Sequence, residues 1–275
     1  MKRVSFYLVL LVISIQIKAQ IYVKHDAIGL NDGTSWKNAF VDLDSAINAT
    51  SSGQIWVAAG IYKPSTNLQG GTPLNEREKT FRLKKNVAIY GGFNGSEINF
   101  SDRDWNQNKT ILSGDIGTEG DSTDNTYHVV SSEYANLDLS TILDGLIIRD
   151  GYSYSQYSGA GIYVNQTSGG KFIIRNCIVE NNYSFREGGG LYVFNSHPII
   201  ENNIFRNNQA FKGGAIYLYH SDAIVQGNQI INNKADNYQN VGSTALSGGG
   251  IYIRCLRHKT NQQVVRFCKL FMLLF

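Results

Sequence analysis

Gly188-Gly-Gly-Leu-Tyr192 is one of four similar phrases in the chain, with Gly159-Ala-Gly-Ile-Tyr163, Gly213-Gly-Ala-Ile-Tyr217 and Gly248-Gly-Gly-Ile-Tyr252. The copies start 29, 25 and 35 residues apart. Repeats of this length are typical of solenoids, in which each unit packs on its neighbours in the chain. The sequence of 275 residues is therefore that of a repeat protein.

A second phrase keeps step with the first and ends in a pair of turn residues: Asn176-Cys-Ile-Val-Glu-Asn-Asn182, Asn202-Asn-Ile-Phe-Arg-Asn-Asn208 and Gly227-Asn-Gln-Ile-Ile-Asn-Asn233, with Gly145-Leu-Ile-Ile-Arg-Asp-Gly151 as a weaker copy. Each unit holds short β-branched and aromatic runs and no apolar stripe of helical period, which predicts several short strands per repeat. Asn and Gly suit the tight turns between them because both tolerate a left-handed backbone. The repeats predict an all-β, single-stranded parallel β-helix.

Stacking the repeats brings equivalent residues into ladders with a spacing of about 4.8 Å. Two ladders alternate in charge: Asp144, Arg175, Glu201 and Gln226, then Arg149, Glu180, Arg206 and Ile231. Two aliphatic ladders lie beside them and are expected to fill the interior: Leu143, Ile174, Ile200 and Val225, then Ile148, Val179, Phe205 and Ile230. Opposite charges on neighbouring strands attract and like charges repel, so the alternation indicates parallel, in-register stacking.

The chain ahead of the repeats has a different organisation. Residues 21–140 lack the regular phrases and are expected to form a cap and irregular first coils, followed by the regular repeats of 141–254. Phe40, Leu43, Ala46 and Ile47 share one face of a helical pattern. We therefore expect a capping helix that plugs the first coil of a single elongated domain.

The first 20 residues resemble a bacterial secretory signal. A basic start at Lys2 and Arg3 precedes an apolar run from Val4 to Ile15, and Ala19 offers a small residue for cleavage. No later run is long enough to cross a bilayer as a helix. We expect export to the extracellular space or to the outer-membrane surface of a Gram-negative bacterium, without a transmembrane segment after cleavage.

The formal charge of +3 is unevenly distributed along the chain. Residues 21–254 contain 18 basic and 22 acidic residues, a net charge of −4, because the two ends contribute seven bases and no acid. An acidic body does not provide the basic surface that nucleic acids require. We expect no nucleic-acid partner.

Residues 255–275 depart from the repeat pattern. They contain no Gly, hold two of the three Cys and echo neither phrase. Since a solenoid needs a cap over its open apolar end, this segment is interpreted as an aberrant tail produced by a frameshift or truncation. The alternative is a divergent hydrophobic cap. The third cysteine, Cys177, shares a ladder with Asn203 and Asn228 and is expected to be structural.

Several phrases between Ile21 and Arg254 resemble the pectate-lyase-like right-handed β-helix superfamily, in particular secreted Bacteroidetes-type proteins with repeats similar to chlamydial polymorphic outer membrane protein repeats. The resemblance is carried by Asp32-Gly-Thr-Ser-Trp36, Ile55-Trp-Val-Ala-Ala-Gly-Ile-Tyr-Lys-Pro64, Ile89-Tyr-Gly-Gly-Phe93, Thr110-Ile-Leu-Ser-Gly-Asp115, Tyr127-His-Val-Val130, the glycine-rich phrase and Phe205-Arg-Asn-Asn208. It implies a right-handed β-helix, and it implies an anchoring segment that is not recognisable in this sequence. The superfamily hosts lyases, hydrolases and adhesins, so the fold alone does not select a function.

An outward strip of aromatic residues is the strongest candidate for interaction. If the residue before each repeated tyrosine points inward, strand alternation turns the tyrosines outward. Such a strip suits sugar rings, because tyrosine supplies a flat apolar surface and a hydroxyl. The alternative is that the rings only stabilise neighbouring coils. The candidate ligand-binding residues are Tyr163, Tyr192, Phe194, Tyr217, Tyr219 and Tyr252.

Catalysis is the alternative reading. The resemblance implies that a polysaccharide lyase would place a basic residue on one outward sheet face, where Arg149, Arg175 and Arg206 stand. Their alternation with acids is also what a structural salt-bridge ladder predicts. A glycoside hydrolase would need paired carboxylates at a fixed separation, and the repeats offer Asp144, Asp150, Asp222 and Asp236 only at non-equivalent positions.

Four carboxylates crowd one glycine-containing loop: Asp115, Glu119, Asp121 and Asp124. Oxygen-rich loops can bind calcium, although this one does not match the EF-hand pattern. No other cofactor is indicated. The sequence thus predicts a structural, adhesive or glycan-binding surface module whose partner is a polysaccharide or cell-surface glycan, with a lyase or hydrolase and a non-functional fragment of a larger surface protein as alternatives.

Overall fold

The computed structural model describes residues 20–154, 157–235, 248–254, 257–260, 263–266 and 271–273, with the backbone alone for 167–169 and beyond Arg254. The predicted secretory signal, apart from Gln20, and much of the predicted tail therefore lie outside the described residues. Gln20 itself begins the first strand.

The chain winds through four parallel sheets, and each regular repeat adds one strand to each sheet in turn. Sheet I contains β1 (Gln20–Val23), β2 (Gly53–Ala58), β5 (Val87–Phe93), β8 (Ile142–Asp144), β12 (Ile173–Arg175), β16 (Ile199–Glu201), β20 (Ile224–Gln226) and β26 (Phe271–Leu273). Sheet II contains β3 (Gly60–Tyr62), β6 (Thr110–Ser113), β9 (Leu146–Arg149), β13 (Ile178–Glu180), β17 (Ile204–Arg206) and β21 (Gln229–Ile231). Sheet III contains β10 (Tyr152–Ser153), β14 (Tyr183–Glu187), β18 (Gln209–Lys212) and β22 (Lys234–Ala235). Sheet IV contains β4 (Phe81–Arg82), β7 (Val130–Glu133), β11 (Ile162–Gly170), β15 (Leu191–Ser196), β19 (Ile216–Tyr219) and β23 (Ile251–Arg254).

The strand register confirms the ladders expected from the sequence. Arg175 lies between Asp144 and Glu201 in sheet I. Glu180 lies between Arg149 and Arg206 in sheet II. The predicted fold class, an all-β parallel β-helix, is therefore confirmed.

The interior consists of aliphatic ladders, as expected. Leu143, Ile174, Ile200 and Val225 are at most 4% exposed, and Ile148, Val179 and Phe205 are fully buried. The expectation was wrong for Ile230, which is 36% exposed. Its strand, β21, is the outermost strand of sheet II among the described residues, so no further coil covers this side chain.

Asparagine side chains hold the turns between the sheets. Asn176 and Asn181 have φ angles of 52° and 55°, the left-handed backbone that their turns require. Behind Asn181, the buried amide of Asn182 donates to Asn208 Oδ1 at 2.9 Å, and Asn208 donates to Asn233 Oδ1 at the same distance. Because these Oδ1 atoms also accept backbone N–H groups of the coil below, the ladder satisfies polar groups that would otherwise be buried without partners.

Cys177 takes part in the neighbouring ladder. Its backbone N–H donates to Asn203 Oδ1 at 2.9 Å, and its side chain is 1% exposed. Burial raises the pKa of the Cys177 thiol to about 12. A protonated, buried thiol agrees with the predicted structural role.

The one α-helix of the described residues, α1 (Leu43–Ala49), packs against the first coil. Leu43, Ala46 and Ile47 are at most 1% exposed and join the continuous core. Phe40 was expected on the same helical face, but it lies before the helix in a bridge with Val23, because Asp42 caps the helix and fixes its start. With seven residues, α1 is far shorter than the roughly 20 needed to span a bilayer, and no other helix in the described part of the chain is long and apolar enough.

Short elements complete the structure. Single 3₁₀ turns span Glu76–Glu78, Phe100–Asp102 and Ser122–Asp124. Beyond the repeats, β24 (Arg257–Thr260) and β25 (Gln263–Arg266) pair antiparallel, while β26 adds to β20 in parallel. The frameshift interpretation of residues 255–275 stays a prediction.

Candidate functional site

The solenoid presents two chemically different sides. On sheets I and II the outward positions carry isoleucines next to the charged ladders, as in the rows of Ile173 with Arg175 and Ile178 with Glu180. On sheet IV the row of Tyr192 is aromatic throughout the regular repeats, and on sheet III the row of Tyr152 and Tyr183 continues with Gln209 and Lys234. The aromatic side holds all six residues predicted as ligand-binding.

The repeated tyrosines of sheet IV form one continuous stack of rings. Tyr163, Tyr192, Tyr217 and Tyr252 follow one another with ring centroids 5.5, 5.5 and 5.2 Å apart and interplanar angles of 12° or less. His128 extends the stack below Tyr163 at 4.7 Å. Parallel register makes the stack unavoidable, because each tyrosine lies directly over its equivalent in the coil below.

Stacking changes what this strip can offer a ligand. Tyr217 is only 2% exposed, so the expectation of a fully exposed strip was wrong at its centre. Each inner ring is covered on both faces by its neighbours, which leaves the ring edges of the partly exposed Tyr163, Tyr192 and Tyr252 at the surface. Burial raises the pKa of Tyr163 and of Tyr217 to about 12, so their hydroxyls are neutral hydrogen-bonding groups at physiological pH.

Phe194 and Tyr219 form a second aromatic row on the same sheet. Their centroids are 5.1 Å apart in an edge-to-face arrangement, and the ring of His220 lies 4.0 Å from that of Tyr219. The guanidinium of Arg254 lies 5.0 Å from the centroid of Tyr219. The predicted residues are therefore brought together in two adjacent rows.

Sheet III adds aromatic residues that the sequence reasoning missed. Tyr152 and Tyr183 stack at 4.9 Å with an angle of 20°. Tyr127 and Tyr157 stack at 4.6 Å, and Arg77 lies over Tyr127. A sequence signal was present, since Tyr152 and Tyr183 each follow the turn pair of their repeat directly.

A pocket of about 270 Å³ opens beside Tyr152 and Tyr183. The loop that precedes β7 and the turn between sheets II and III contribute its lining. Its lining residues are Asp115, Gly120, Ser122, Asn125, Asp150, Gly151, Tyr152, Asn181 and Tyr183. Two carboxylates and two tyrosines thus face one cavity.

The arginines considered for lyase chemistry are held in ion pairs. Arg175 Nε lies 2.7 Å from Asp144 Oδ2, and Arg206 Nη2 lies 2.6 Å from Glu180 Oε2. The same Asp144, which is fully buried, also binds Arg103 at 2.8 Å. A guanidinium held by carboxylates is poorly suited to act as a base, so the geometry agrees with the salt-bridge reading of these ladders.

The acidic loop does not assemble a metal site. Asp121 and Asp124 accept backbone N–H groups of Thr123 and Thr118 at 2.9 and 2.8 Å, while Glu119 is exposed. Asp115 Oδ2 accepts from Gly120 N at 3.0 Å. Among the described residues, no group of three or more His, Cys, Asp or Glu side chains is placed to hold a metal ion.

Comparison with known proteins gives one match. A family model described as a right-handed beta helix region matches residues 85–258, which is more than half of the chain. Searches of curated proteins and of solved structures gave no match. The matched range begins two residues before β5 and includes all four described strands of sheet III.

Proposed function

Since the chain belongs to the right-handed β-helix family, we propose that it is a secreted or cell-surface module that binds polysaccharide on the side formed by sheets III and IV. The observation that carries the proposal is the row of aromatic side chains on that side of the regular repeats. Stacked rings run along sheet IV at 5.2 to 5.5 Å, and one stacked pair lies in sheet III at 4.9 Å. In the regular repeats the opposite side carries isoleucines and ion pairs instead. Its first coils carry a separate cluster of buried or half-buried aromatic residues: Tyr22, Trp36, Trp56, Tyr90, Phe93 and Phe100.

The aromatic side has the chemistry that a sugar chain needs. The exposed ring edges carry hydroxyls that donate hydrogen bonds to sugar oxygens and accept them from sugar hydroxyls. The stack is ordered before any ligand arrives, so binding does not have to immobilise these side chains. Its length along several coils matches an extended polymer better than a small metabolite.

The surface location is also part of the proposal. It is supported by the signal-like residues 1–20 and by the resemblance of Phe205-Arg-Asn-Asn208 to repeats of outer-membrane proteins. In the structure Phe205 fills the core and Asn208 belongs to the buried amide ladder, so this phrase is explained by folding requirements as well. Cell fractionation with an antibody against the repeats tests the location directly.

Binding is tested by affinity electrophoresis of the whole chain in gels that contain individual polysaccharides. Tyr192→Phe keeps the ring stack and removes one hydroxyl, whereas Tyr192→Ser opens the stack. Glu201→Gln on the opposite side is the matched control. We expect retardation by at least one polysaccharide that weakens with Tyr192→Phe and is lost with Tyr192→Ser. A protein that no polysaccharide retards, but that Tyr192→Ser destabilises, would contradict the proposal and leave a purely structural stack.

A glycoside hydrolase is the second candidate, because Asp115 and Asp150 line one pocket. Paired carboxylates are the usual catalytic groups of such enzymes. The retarding polysaccharide is incubated with the protein, and new reducing ends are counted. Release of reducing ends that Asp150→Asn abolishes would favour the hydrolase over the binding module.

A further inference from the structure

The pocket beside Tyr152 and Tyr183 is built by backbone contacts between a loop and the coil above it. Gly114 N donates to Arg149 O at 2.9 Å, and Thr126 N donates to Gly114 O at 2.9 Å. Tyr152 N in turn donates to Thr126 O at 2.9 Å. Both ends of the loop from Gly114 to Thr126 are therefore fixed to the solenoid, and the pocket is preformed.

One buried side chain in the pocket lining has an unused acceptor. Asn125 is 5% exposed, and its Nδ2 donates to the backbone oxygen of Asp150 at 2.7 Å. This bond fixes the orientation of the amide. Asn125 Oδ1 finds no hydrogen-bond partner among the described residues. Since a buried acceptor without a donor is unfavourable, the site is suited to a ligand that brings donors.

Asp115 supplies a second acceptor to the same pocket. Its Oδ2 accepts from Gly120 N, while its buried Oδ1 has no hydrogen bond within the described part of the chain. Lys63 Nζ lies 3.9 Å from Oδ1, too far for a hydrogen bond, and Lys63 does not line the pocket. Asp115 Oδ1 is therefore within ion-pair distance of Lys63, but neither it nor Asn125 Oδ1 accepts a hydrogen bond within the described residues. Both atoms are acceptors.

Asp150 is an aspartate where the repeat otherwise uses asparagine. Its φ of 64° is close to the 55°, 55° and 52° of Asn181, Asn207 and Asn232, which hold the equivalent turn in the next three coils. The left-handed turn therefore does not require a carboxylate. Ser113 Oγ donates to Asp150 Oδ2 at 3.0 Å, and Arg149 Nε lies 3.0 Å from the same oxygen. Burial nevertheless raises the pKa of Asp150, because these contacts do not fully offset the loss of water.

We propose that this pocket binds the ring of an amino sugar, with its ammonium group between Asp115, Asn125 and Asp150 and its C–H groups against the wall of Tyr152 and Tyr183. An ammonium group carries three donors and no acceptor, which complements a lining whose unused groups are acceptors. Aromatic rings beside carboxylates also attract cations. The same carboxylates repel a uronic acid. The inference rests on the proposed function and assigns a sugar class to that aromatic side.

The test is isothermal titration of the whole chain at about pH 6, where the amines of the sugar probes are protonated. The probes are a glucosamine tetramer, the fully N-acetylated tetramer and a tetramer of galacturonic acid. The variants are Asp150→Asn, which places the residue of the next three coils in the same turn, and Asp115→Asn. Glu119→Gln removes a charge from the same loop without touching the pocket lining, and serves as the matched control. Melting temperatures confirm that each variant folds.

The expected result is binding of the glucosamine tetramer and weaker binding of the other two probes. Asp150→Asn and Asp115→Asn should each weaken it about tenfold or more, the effect of one charge-assisted hydrogen bond. Glu119→Gln should leave it unchanged. Equal binding of the acetylated tetramer, tighter binding of the uronate, or equal loss with Glu119→Gln would each overturn the inference.

The two proposals remain distinguishable. Polysaccharide binding that depends on Tyr192 but is insensitive to Asp115→Asn, Asp150→Asn and glucosamine would overturn the amino-sugar site alone. Glucosamine binding that depends on Asp150 but not on Tyr192 would support the pocket and contradict the long binding side proposed for sheet IV.

Discussion

The two sides of the solenoid solve the same geometric problem with different chemistry. Parallel stacking places equivalent residues directly above one another on both sides. On sheets I and II the stacked positions alternate in charge, so that Arg175 contacts Asp144 and Arg206 contacts Glu180. On sheet IV the stacked positions are identical, because tyrosine rings can pack on copies of themselves. A ladder of like residues is therefore possible for aromatic and amide side chains, but charged ladders need alternation.

The difference decides which side is free to bind. The ion pairs of sheets I and II satisfy one another within the protein. On the aromatic side the outer ring edges are exposed, and the adjoining pocket keeps acceptors without donors. Single substitutions on either side test this difference.

The largest effect is expected on the charged side, at Asp144. This fully buried carboxylate binds Arg103, whose side chain is 6% exposed, and Arg175. Asp144→Ala would leave a buried guanidinium without its partner and should lower the free energy of unfolding by about 3–5 kcal/mol. Urea unfolding measures this loss. A change below about 1 kcal/mol would show that the ladder does not hold this side together.

The next effect is expected at the centre of the aromatic side. Tyr192→Ser removes two ring contacts and part of the apolar cover of the coil, and should cost about 2–3 kcal/mol. Tyr192→Phe keeps the stack and should cost less than about 0.5 kcal/mol. Equal losses in the two variants would mean that the hydroxyl, and not the ring, stabilises this side.

A pH effect of intermediate size is expected at His128, the base of the stack. Burial lowers the pKa of His128 from 6.5 to about 4 in the folded chain. Between these values the unfolded chain binds a proton that the folded chain does not, so stability should fall by about 2–3 kcal/mol as the pH decreases from 6.5 to 4. His128→Phe keeps a ring below Tyr163 and should remove this part of the slope. Melting curves of both proteins between pH 6.5 and pH 4 measure this dependence. An unchanged pH dependence in His128→Phe would show that another group titrates in this range.

The smallest effect is expected at Arg206, whose side chain is 43% exposed. Its partner Glu180 is buried, with its side chain 11% exposed, but the guanidinium is in contact with water. Arg206→Gln keeps a hydrogen-bond donor beside this carboxylate and should cost only about 0–1 kcal/mol. Comparison with Asp144→Ala in the same unfolding assay separates buried from exposed pairs within one ladder system. A larger loss of unfolding free energy than that of Asp144→Ala would show that the exposed arginine, and not the buried carboxylate, stabilises this side.

Much of the fold could be predicted because the repeat makes each position a copy of its neighbours. Once the phrases around Asn182 and Asn208 were aligned, the register of every regular strand followed. The helix start could not be predicted, since Phe40 fits the helical face but pairs with Val23 instead. The spacing of apolar residues does not show whether Phe40 joins the helix or the bridge with Val23.

The candidate site was only partly predictable for a related reason. Outward direction follows from strand alternation, but the burial of Tyr217 depends on rings in other coils and on their edge contacts. The pocket depends on the loop around Asn125 folding back against Asp150, which is a single, non-repeated contact. Sequence repeats reveal what recurs, so a site formed once is not visible in them.

The alternation of charge also sets a rule for how such a chain can grow or shrink. Loss of one coil would bring Asp144 against Glu201 and, at the same time, Arg149 against Arg206. Duplication of two neighbouring charged coils together would keep opposite charges in contact on both ladders, while the tyrosine and asparagine stacks tolerate either event. On the charged side the unit of duplication is therefore a pair of coils, so the solenoid has a parity that its repeat length does not reveal.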